Sequence, residues 1–582
     1  VRNIINFLTI PKAMNNLLFA NSDLLRGKPY RLLLKLTKPT AWYPETIKRS
    51  RLSIRNEQAL IWALPKSQQA SVQQVWPRQI KLASLLLDIS QEIPWHKSFA
   101  DPEDFESLHR WNWLVYALSQ DSSQKYESFQ QWGKKHIDSW VTQSLSFKER
   151  LVWETYTISE RIVNWILFVY LSGLDWPERW NNEMARSVNY VINHLEYRGR
   201  YTGNHVLNNA RAIFLVGCAF QREDWRNFAK AVIRDETKRL LTSDGFLNDG
   251  SSHYHFLFMR WILEILHFER FYQDEKFHKE LETIAAKVVA RCDFFPAHFP
   301  LFGDISPDCS PIWISSGWKN LFPESKEKIS HAKKLKVESY PESGWHKMNV
   351  GQAELIWHLE KEISQKWVSH AHCDVGAFCF YLGGSPVLVD AGRLNYLDSR
   401  WGNFGLSAQA HNSILIDGKG PYPALRRKFP ERYPLPEAKM TFEERGHESE
   451  AILTYKGYEE KGQSIKISRS FNLSSNSLLI KDEIAGEGKF DVKIYYHWAP
   501  DFGLQLNLGN GFKVIQGAKI IHGSVQCLHQ DTSIHMREFK GGDDPLGWFI
   551  SEYGKKEIAS TLEISVKVEL PCCIQTLLRW IE

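Results

Sequence analysis

Three short stretches of the sequence gather side chains that can move protons or hold a metal. The first is Gly203-Asn204-His205-Val206-Leu207-Asn208-Asn209-Ala210-Arg211, where a helical apolar pattern begins just after Asn204. Asn204 suits an N-cap, which would set an amide and an imidazole side by side at one helix mouth. Such a pair can neutralise a bound carboxylate and remove a proton, although capping is the commoner use of these residue types. The second is Asp244-Gly245-Phe246-Leu247-Asn248-Asp249-Gly250-Ser251-Ser252-His253-Tyr254-His255, ahead of a helix expected from about Phe256. A tyrosine between imidazoles near a helix N-terminus can have its phenolate stabilised, making it a proton donor and acceptor. The plainer alternative is a polar loop leading into a helix.

The third stretch is Ser369-His370-Ala371-His372-Cys373-Asp374, followed by Val389-Asp390-Ala391-Gly392 and Ala410-His411-Asn412-Ser413. Two histidines and an aspartate on successive strands suit a zinc site with N, N and O ligands and an open fourth position. The Gly383-Gly384-Ser385 turn folds one strand back on the next, which carries His372 toward Asp390. On a regular strand His370 and His372 would share a face, so different jobs for them require irregular backbone there.

These groups need a scaffold, and 582 residues with 43% hydrophobic content supply material for two to four domains. With 72 basic and 67 acidic side chains the formal charge is only +5, which argues against nucleic acid or an anionic membrane as partner. The eight cysteines lack the density of a disulfide scaffold and the CxxC spacing of a zinc-thiolate site. No apolar stretch is long enough to span a bilayer, so the chain reads as soluble. Its compartment is open: periplasmic or extracellular if a leader has been removed, and otherwise cytoplasmic. The 23 tryptophans suit helix packing first and sugar faces second.

From about Glu57 to His331 apolar residues recur at spacings of three and four, as in Ile158 to Leu167, predicting a series of amphipathic helices. One helix is expected over Leu108 to Ser119. Many helices of similar length with short links suggest a toroid or solenoid. After about Ser343 the pattern changes to short apolar runs separated by Gly, Asn, Asp and Pro, which predicts a large antiparallel β-sandwich. The expected division is an arm or extra helical element over 1–55, helical domain over 56–338 and sandwich over 339–582.

In these residues, and in their order, the chain resembles the heparinase II/III family of polysaccharide lyases. The likeness is carried by Gly203 to Ala210, by Asp244-Gly245 leading to Ser251-Ser252-His253-Tyr254-His255, and by His370 to Asp374 through Asp390 to Ala410-His411-Asn412. Phe302-Gly303-Asp304 resembles the family's Gly-Asp turn near its domain junction. The resemblance implies an incomplete (α/α) toroid followed by a C-terminal antiparallel β-sandwich. It further implies β-elimination on an acidic, uronate-containing polysaccharide, with Asn204 neutralising the carboxylate. His205 or Tyr254 would take the C5 proton, Tyr254 would protonate the leaving oxygen and His370 would assist. Zinc at His372, Asp390 and His411 would be structural. Arg198, Arg200, Arg211 and His255 are candidate substrate contacts.

Where members commonly place an arginine and a threonine before Ala410-His411-Asn412, this chain has Leu406-Ser407-Ala408-Gln409. That departure keeps a glycan-binding protein without turnover as the alternative. A glycoside hydrolase, the less favoured reading, would need two carboxylates across the bond, for which Asp244 and Asp249 are the local choices.

Overall fold

The structure is a computed structural model describing residues 78–120, 126–197, 202–272, 274–317, 336–360, 370–427, 433–445, 448–460, 463–528 and 532–580. The expected arm over 1–55 lies outside the described residues, as do Arg198 and Arg200. A small hairpin, β1 (Gln79–Lys81) and β2 (Leu86–Asp88), precedes the helices. These are α1 (Pro102–Arg110), α2 (Asn112–Gln120), α3 (Tyr126–Gln143), α4 (Thr155–Ser172), α5 (Asn181–Asn193), α6 (His205–Ala219), α7 (Glu223–Leu240), α8 (Ser252–Glu269) and α9 (Glu275–Cys292). Helix α4 is apolar around most of its circumference and accordingly lies inside, packed by α1, α2, α5 and α6. Helix α6 in turn packs α7 and α8.

Two helix boundaries differ from expectation. The single helix over Leu108 to Ser119 is broken at Trp111, which adopts φ 67° and closes α1 by donating its N–H to the Ser107 carbonyl. Left-handed backbone is unfavourable for so bulky a residue. Here it is held by burial of the indole between Trp95 and Trp113, at ring separations of 5.1 and 4.7 Å. The helix expected from Phe256 begins at Ser252, capped by Ser251, so Tyr254 and His255 lie in its first turn rather than in a loop.

The second half contains two sheets. Strands β3 (Val337–Tyr340), β4 (Trp345–Val350), β5 (Ala353–His358), β6 (Cys379–Leu382) and β7 (Ser385–Leu388) form an antiparallel meander. The larger sheet is built from β8 (Ile414–Ile416), β9 (Ala438–Arg445), β10 (Glu448–Glu460), β11 (Gln463–Leu473), β12 (Ser477–His497), β13 (Gly503–Leu506), β14 (Gly511–Gln516), β15 (Lys519–Leu528), β16 (Ile534–Lys540) and β19 (Ser560–Trp580). A separate hairpin, β17 (Trp548–Glu552) and β18 (Lys555–Ile558), completes the strands. The 21-residue strands β12 and β19 pair along their lengths and are the spine of the large sheet.

Alternation along the strands explains the layering. On β5 Leu355 and Trp357 enter the core between the sheets while Ile356 enters the helical core; on β6 Phe380 and Leu382 do the former, Cys379 and Tyr381 the latter. The five-stranded sheet is therefore buried on both faces, between helices and large sheet. Among the described residues no helix is long and apolar enough to cross a membrane.

Three histidines of the helical half are locked neutral. Nδ1 of His109 accepts from the Trp140 indole, that of His253 from Ser306 N, and that of His255 from Leu247 N. Burial pushes each imidazole down to about 3. Since an unfolded histidine titrates near 6.5, the unfolded chain takes up protons that the folded chain refuses. Their contribution to stability is complete above about pH 6.5 and declines as pH falls toward 3. Calorimetric melting temperatures should therefore drop progressively between pH 6.5 and 4.

Candidate active site

Asn204 and His205 sit where the chain turns into α6. Arg239 grips the approach, donating to the carbonyls of Thr202 and Gly203 at 2.7 Å each. Asn204 occupies the N-cap position, but its backbone is helical and its side chain makes no capping bond. Instead the amide points inward and donates to Asp249 Oδ2 at 3.2 Å. His205 is anchored through Nδ1 to Glu196, 3.2 Å away, and its ring packs on Tyr156 at 4.4 Å. Its side chain is 42% exposed, so the imidazole lines open space.

Tyr254 enters from the first turn of α8, whose N-terminus is stapled to the 300–304 segment. Ser252 N–H donates to the Phe302 carbonyl, and Ser251 Oγ donates to the Asp304 carbonyl. The Tyr254 ring stacks on His370, centroids 3.6 Å apart and planes at 15°. Its hydroxyl lies 3.0 Å from that of Tyr396, which donates its own proton to the Ile305 carbonyl. Tyr254 is thus the donor of the tyrosine pair. A helix N-terminus favours phenolate, yet burial outweighs it and pushes the phenol well above its ordinary range. The expected stabilised phenolate is corrected: this tyrosine carries its proton.

Asp304 joins the two halves. Its Oδ2 meets His370 Nδ1 at 3.0 Å, while Oδ1 meets His372 Nε2 at 3.0 Å and accepts from Arg393 at 2.8 Å. Its N–H donates to the His370 carbonyl. Residues 370–378 form no strand, which lets His370 and His372 reach one carboxylate with different nitrogens. The preceding Gly303 has φ +72°, and a Cβ there would lie 2.2 Å from the Gly250 carbonyl oxygen. Only glycine permits this approach. His370 Nε2 is 3.6 Å from Asp249 Oδ2, the same oxygen that Asn204 contacts.

Behind His370, the side chains of His372, Asp390 and His411 are buried, with ligand atoms within 4.8 Å of one another. His411 Nδ1 is 2.6 Å from Asp390 Oδ2. Burial opposes charge on both, but their mutual attraction wins, holding Asp390 low and His411 high. His372 Nδ1 and His411 Nε2 are buried without hydrogen-bond partners. Two orphaned imidazole nitrogens beside a carboxylate are what a metal ion would satisfy, so the residues fit one. Asp304 would then be the carboxylate that orients a liganding histidine from behind. Asp374, buried with neither oxygen bonded, is pushed up to about 8 by burial.

Asn204, His205, Tyr254 and His370 are therefore brought together, and so are His372, Asp390 and His411. Two expected substrate contacts are not. Arg211 is fully buried in ion pairs with Glu160 and Glu264, because α6 turns it into the helical core. His255 is likewise interior, one helical position beyond Tyr254 and aimed at Leu247 N and the Val288 carbonyl. Asp244 is spent on Ser343 and Thr242, so it does not face Asp249 across an open cleft. Tyr396 was missed by sequence reasoning, as were the partner roles of Asp304 and Asp249. A guanidinium is present near the centre after all: Arg393 follows Asp390-Ala391-Gly392, rather than preceding Ala410 where it was sought.

Residues 42–329 match the heparinase II/III N-terminus and residues 332–577 match the heparinase II/III-like C-terminal domain. The chain belongs to the heparinase II/III-like family. That membership places it among the polysaccharide lyases. No curated protein matches the sequence significantly. Among solved structures, a heparinase III is similar over 85% of this chain and 80% of its own, at 15% identity and TM-score 0.64. A heparan sulfate lyase from Pedobacter heparinus is similar over 85% and 80%, at 16% identity and TM-score 0.54. At these identities the solved structures speak for the fold, an incomplete toroid and β-sandwich.

In this heparinase II/III-like chain, Asp304→Asn should disturb both centres at once. It leaves Arg393 without its buried anionic partner, costing about 3 kcal/mol of stability. If the His372, Asp390 and His411 triad takes up a metal, its affinity should fall about 10- to 100-fold through His372. Calorimetry and chelator competition measure the two effects.

Proposed function

We propose that the chain cleaves a uronate-containing polysaccharide by β-elimination. The C5 proton is removed, the C4–O4 bond breaks, its electron pair leaves with the departing sugar, and a C4=C5 double bond remains. The observation that carries this reading is the convergence of Asn204 and His370 on one Asp249 oxygen, with Tyr254 stacked against His370 and His205 beside Asn204. No water is consumed. A C5 proton next to an ionised carboxylate is weakly acidic, so the growing charge requires hydrogen-bond donors already in place. Asn204 supplies an amide, assisted by the His370 imidazole.

The proton traffic divides between His205 and Tyr254. His205, oriented by Glu196 and open on its outer side, takes the C5 proton when proton and leaving group lie on opposite faces. Tyr254 protonates O4, in keeping with burial that holds the phenol protonated. Arg198 and Arg200, just before this turn in the chain, are assigned to the anionic substrate; the base and acid come from 56–338 and the assisting His370 from 339–582.

Zinc is the metal we assign to His372, Asp390 and His411, as an N, N, O set. Bound there, it would supply cross-linking of the segments that present His370. The substrate could be heparan sulfate, alginate or a bacterial surface polysaccharide.

Ultraviolet absorbance during incubation with such polymers tests the reaction, because only elimination creates a double bond conjugated to the carboxylate. Absorbance should rise with one of them, and Tyr254→Phe should lower the rate at least about 100-fold. Polymer chains shortened without any rise in absorbance would sink the proposal. Chelation should lower melting temperature and activity together; activity lost with folding and melting unchanged would exclude a structural metal.

A further inference from the structure

The outer face of the ten-stranded sheet is far from the chemistry. Moving outward from the toroid, the order is helices, five-stranded sheet, a second core, then the large sheet. On β12 Leu478 and Ile480 point into that second core, as do Val525 on β15 and Ile574 and Leu578 on β19. The alternate residues point away from the toroid, and there they line a groove of about 480 Å³. That volume lies in the range of small-ligand sites.

The groove is organised in cross-strand rows. Ser477 and Arg579 are opposite one another on β12 and β19; next come Leu479, Leu577 and Ser524 on β12, β19 and β15; then Lys481, Gln575 and Gln526. Two leucines therefore form an apolar floor, with amides and a cation on one side and a guanidinium on the other. Glu448 is the one acidic residue lining it among the described residues. Among the described residues the side chains of Lys481, Arg579, Gln526 and Gln575 make no hydrogen bond or ion pair, so their polar heads are available to a ligand.

We propose that this groove is a second, non-catalytic binding site for an acidic polysaccharide. Glutamine amides donate and accept at once, as sugar hydroxyls require of a partner. Leu479 and Leu577 offer a surface to the C–H face of a pyranose ring. Lys481 and Arg579 pair with uronate carboxylates, and the excess of cations over Glu448 gives the groove the sign opposite to such a chain. Nothing in the groove resembles acid–base machinery, so it binds and does not cut.

The nature of the ligand rests on the proposed lyase reading; the groove does not. Groove and cleft lie on opposite faces of the sandwich, with two sheets about 10 Å apart between them. A short oligosaccharide therefore occupies one or the other. A polymer held in the groove raises the local concentration of chain ends and segments near the cleft, an avidity effect that depends on length.

The test uses full-length protein carrying Tyr254→Phe, which leaves the polymer intact, in affinity electrophoresis through gels containing heparan sulfate or alginate. Adding Lys481→Glu and Arg579→Glu should weaken retardation by one of these polymers about tenfold or more. Gln526→Ala with Gln575→Ala should also weaken it, which a non-specific charge effect would not do. In the background with Tyr254 intact, the same groove variants should raise KM for the polymer and leave cleavage of its tetrasaccharide unchanged. Retardation by both polymers that is equal in the parent and in the groove variants overturns the proposal. A groove-dependent retardation without any rise in ultraviolet absorbance would keep the site and refute only the lyase reading.

Discussion

Asp304 is the constraint on which the site depends. One buried carboxylate orients the imidazole that stacks on Tyr254, the imidazole of His372 beside Asp390 and His411, and the guanidinium of Arg393. Such a group is costly to bury alone, and the cost is offset because the 370–378 segment and Arg393 hold these donors around it. The helical half contributes Asp304 itself, on a turn that glycine alone can make, and the sandwich contributes the rest. The relative placement of the two halves and the geometry of the candidate site are thus one and the same arrangement. A shift of the sandwich that broke it would leave a buried charge unpaired.

The tyrosines show how the same junction sets protonation. Tyr396 comes from the sandwich and spends its proton on the Ile305 carbonyl, which obliges Tyr254 to donate to it. Tyr553, from the β17–β18 hairpin, donates to Asp101 and accepts from Tyr396 N–H. The phenol on the toroid is therefore held by a chain of contacts running through the sandwich and back to the toroid. Its proton rests on a weak neutral acceptor, from which it can pass to a more basic oxygen at little cost.

Much of this was legible in the sequence because the relevant groups cluster locally. Asn204 and His205 adjoin, Tyr254 lies in a distinctive polar segment, and His370 with His372 are two residues apart; helical and strand periodicities located the elements that carry them. The hub was visible only as a Gly-Asp turn, since nothing in Phe302-Gly303-Asp304 reveals partners 66 to 89 residues away. Tyr396 was invisible for the same reason. Arg211 and His255 were misread because proximity in sequence says little about direction on a helix: residues a few positions from a catalytic group face the core as often as the cleft. The break at Trp111 escaped notice because a left-handed tryptophan is a tertiary outcome, held by neighbouring indoles rather than by local propensity.

The electrostatics of the cleft suit a reaction whose charge appears late. Among the described residues its guanidiniums are committed to structure. Arg393 serves Asp304, Arg239 holds the carbonyls ahead of Asn204, and Arg110 is surrounded by Glu103, Glu106 and Asp308. Apart from Arg198 and Arg200, proposed above for the anionic substrate, the groups proposed to face it are an amide, imidazoles and a phenol. A fixed cation would bind the ground-state carboxylate strongly and gain comparatively little more as the C5–H bond breaks. Oriented hydrogen-bond donors gain in proportion to the charge that develops, which is the difference that lowers a barrier. On the proposed elimination, the absence of an arginine ahead of Ala410 is therefore no obstacle. The proposed work of charge stabilisation then falls to groups that Asp249 and Asp304 hold in place.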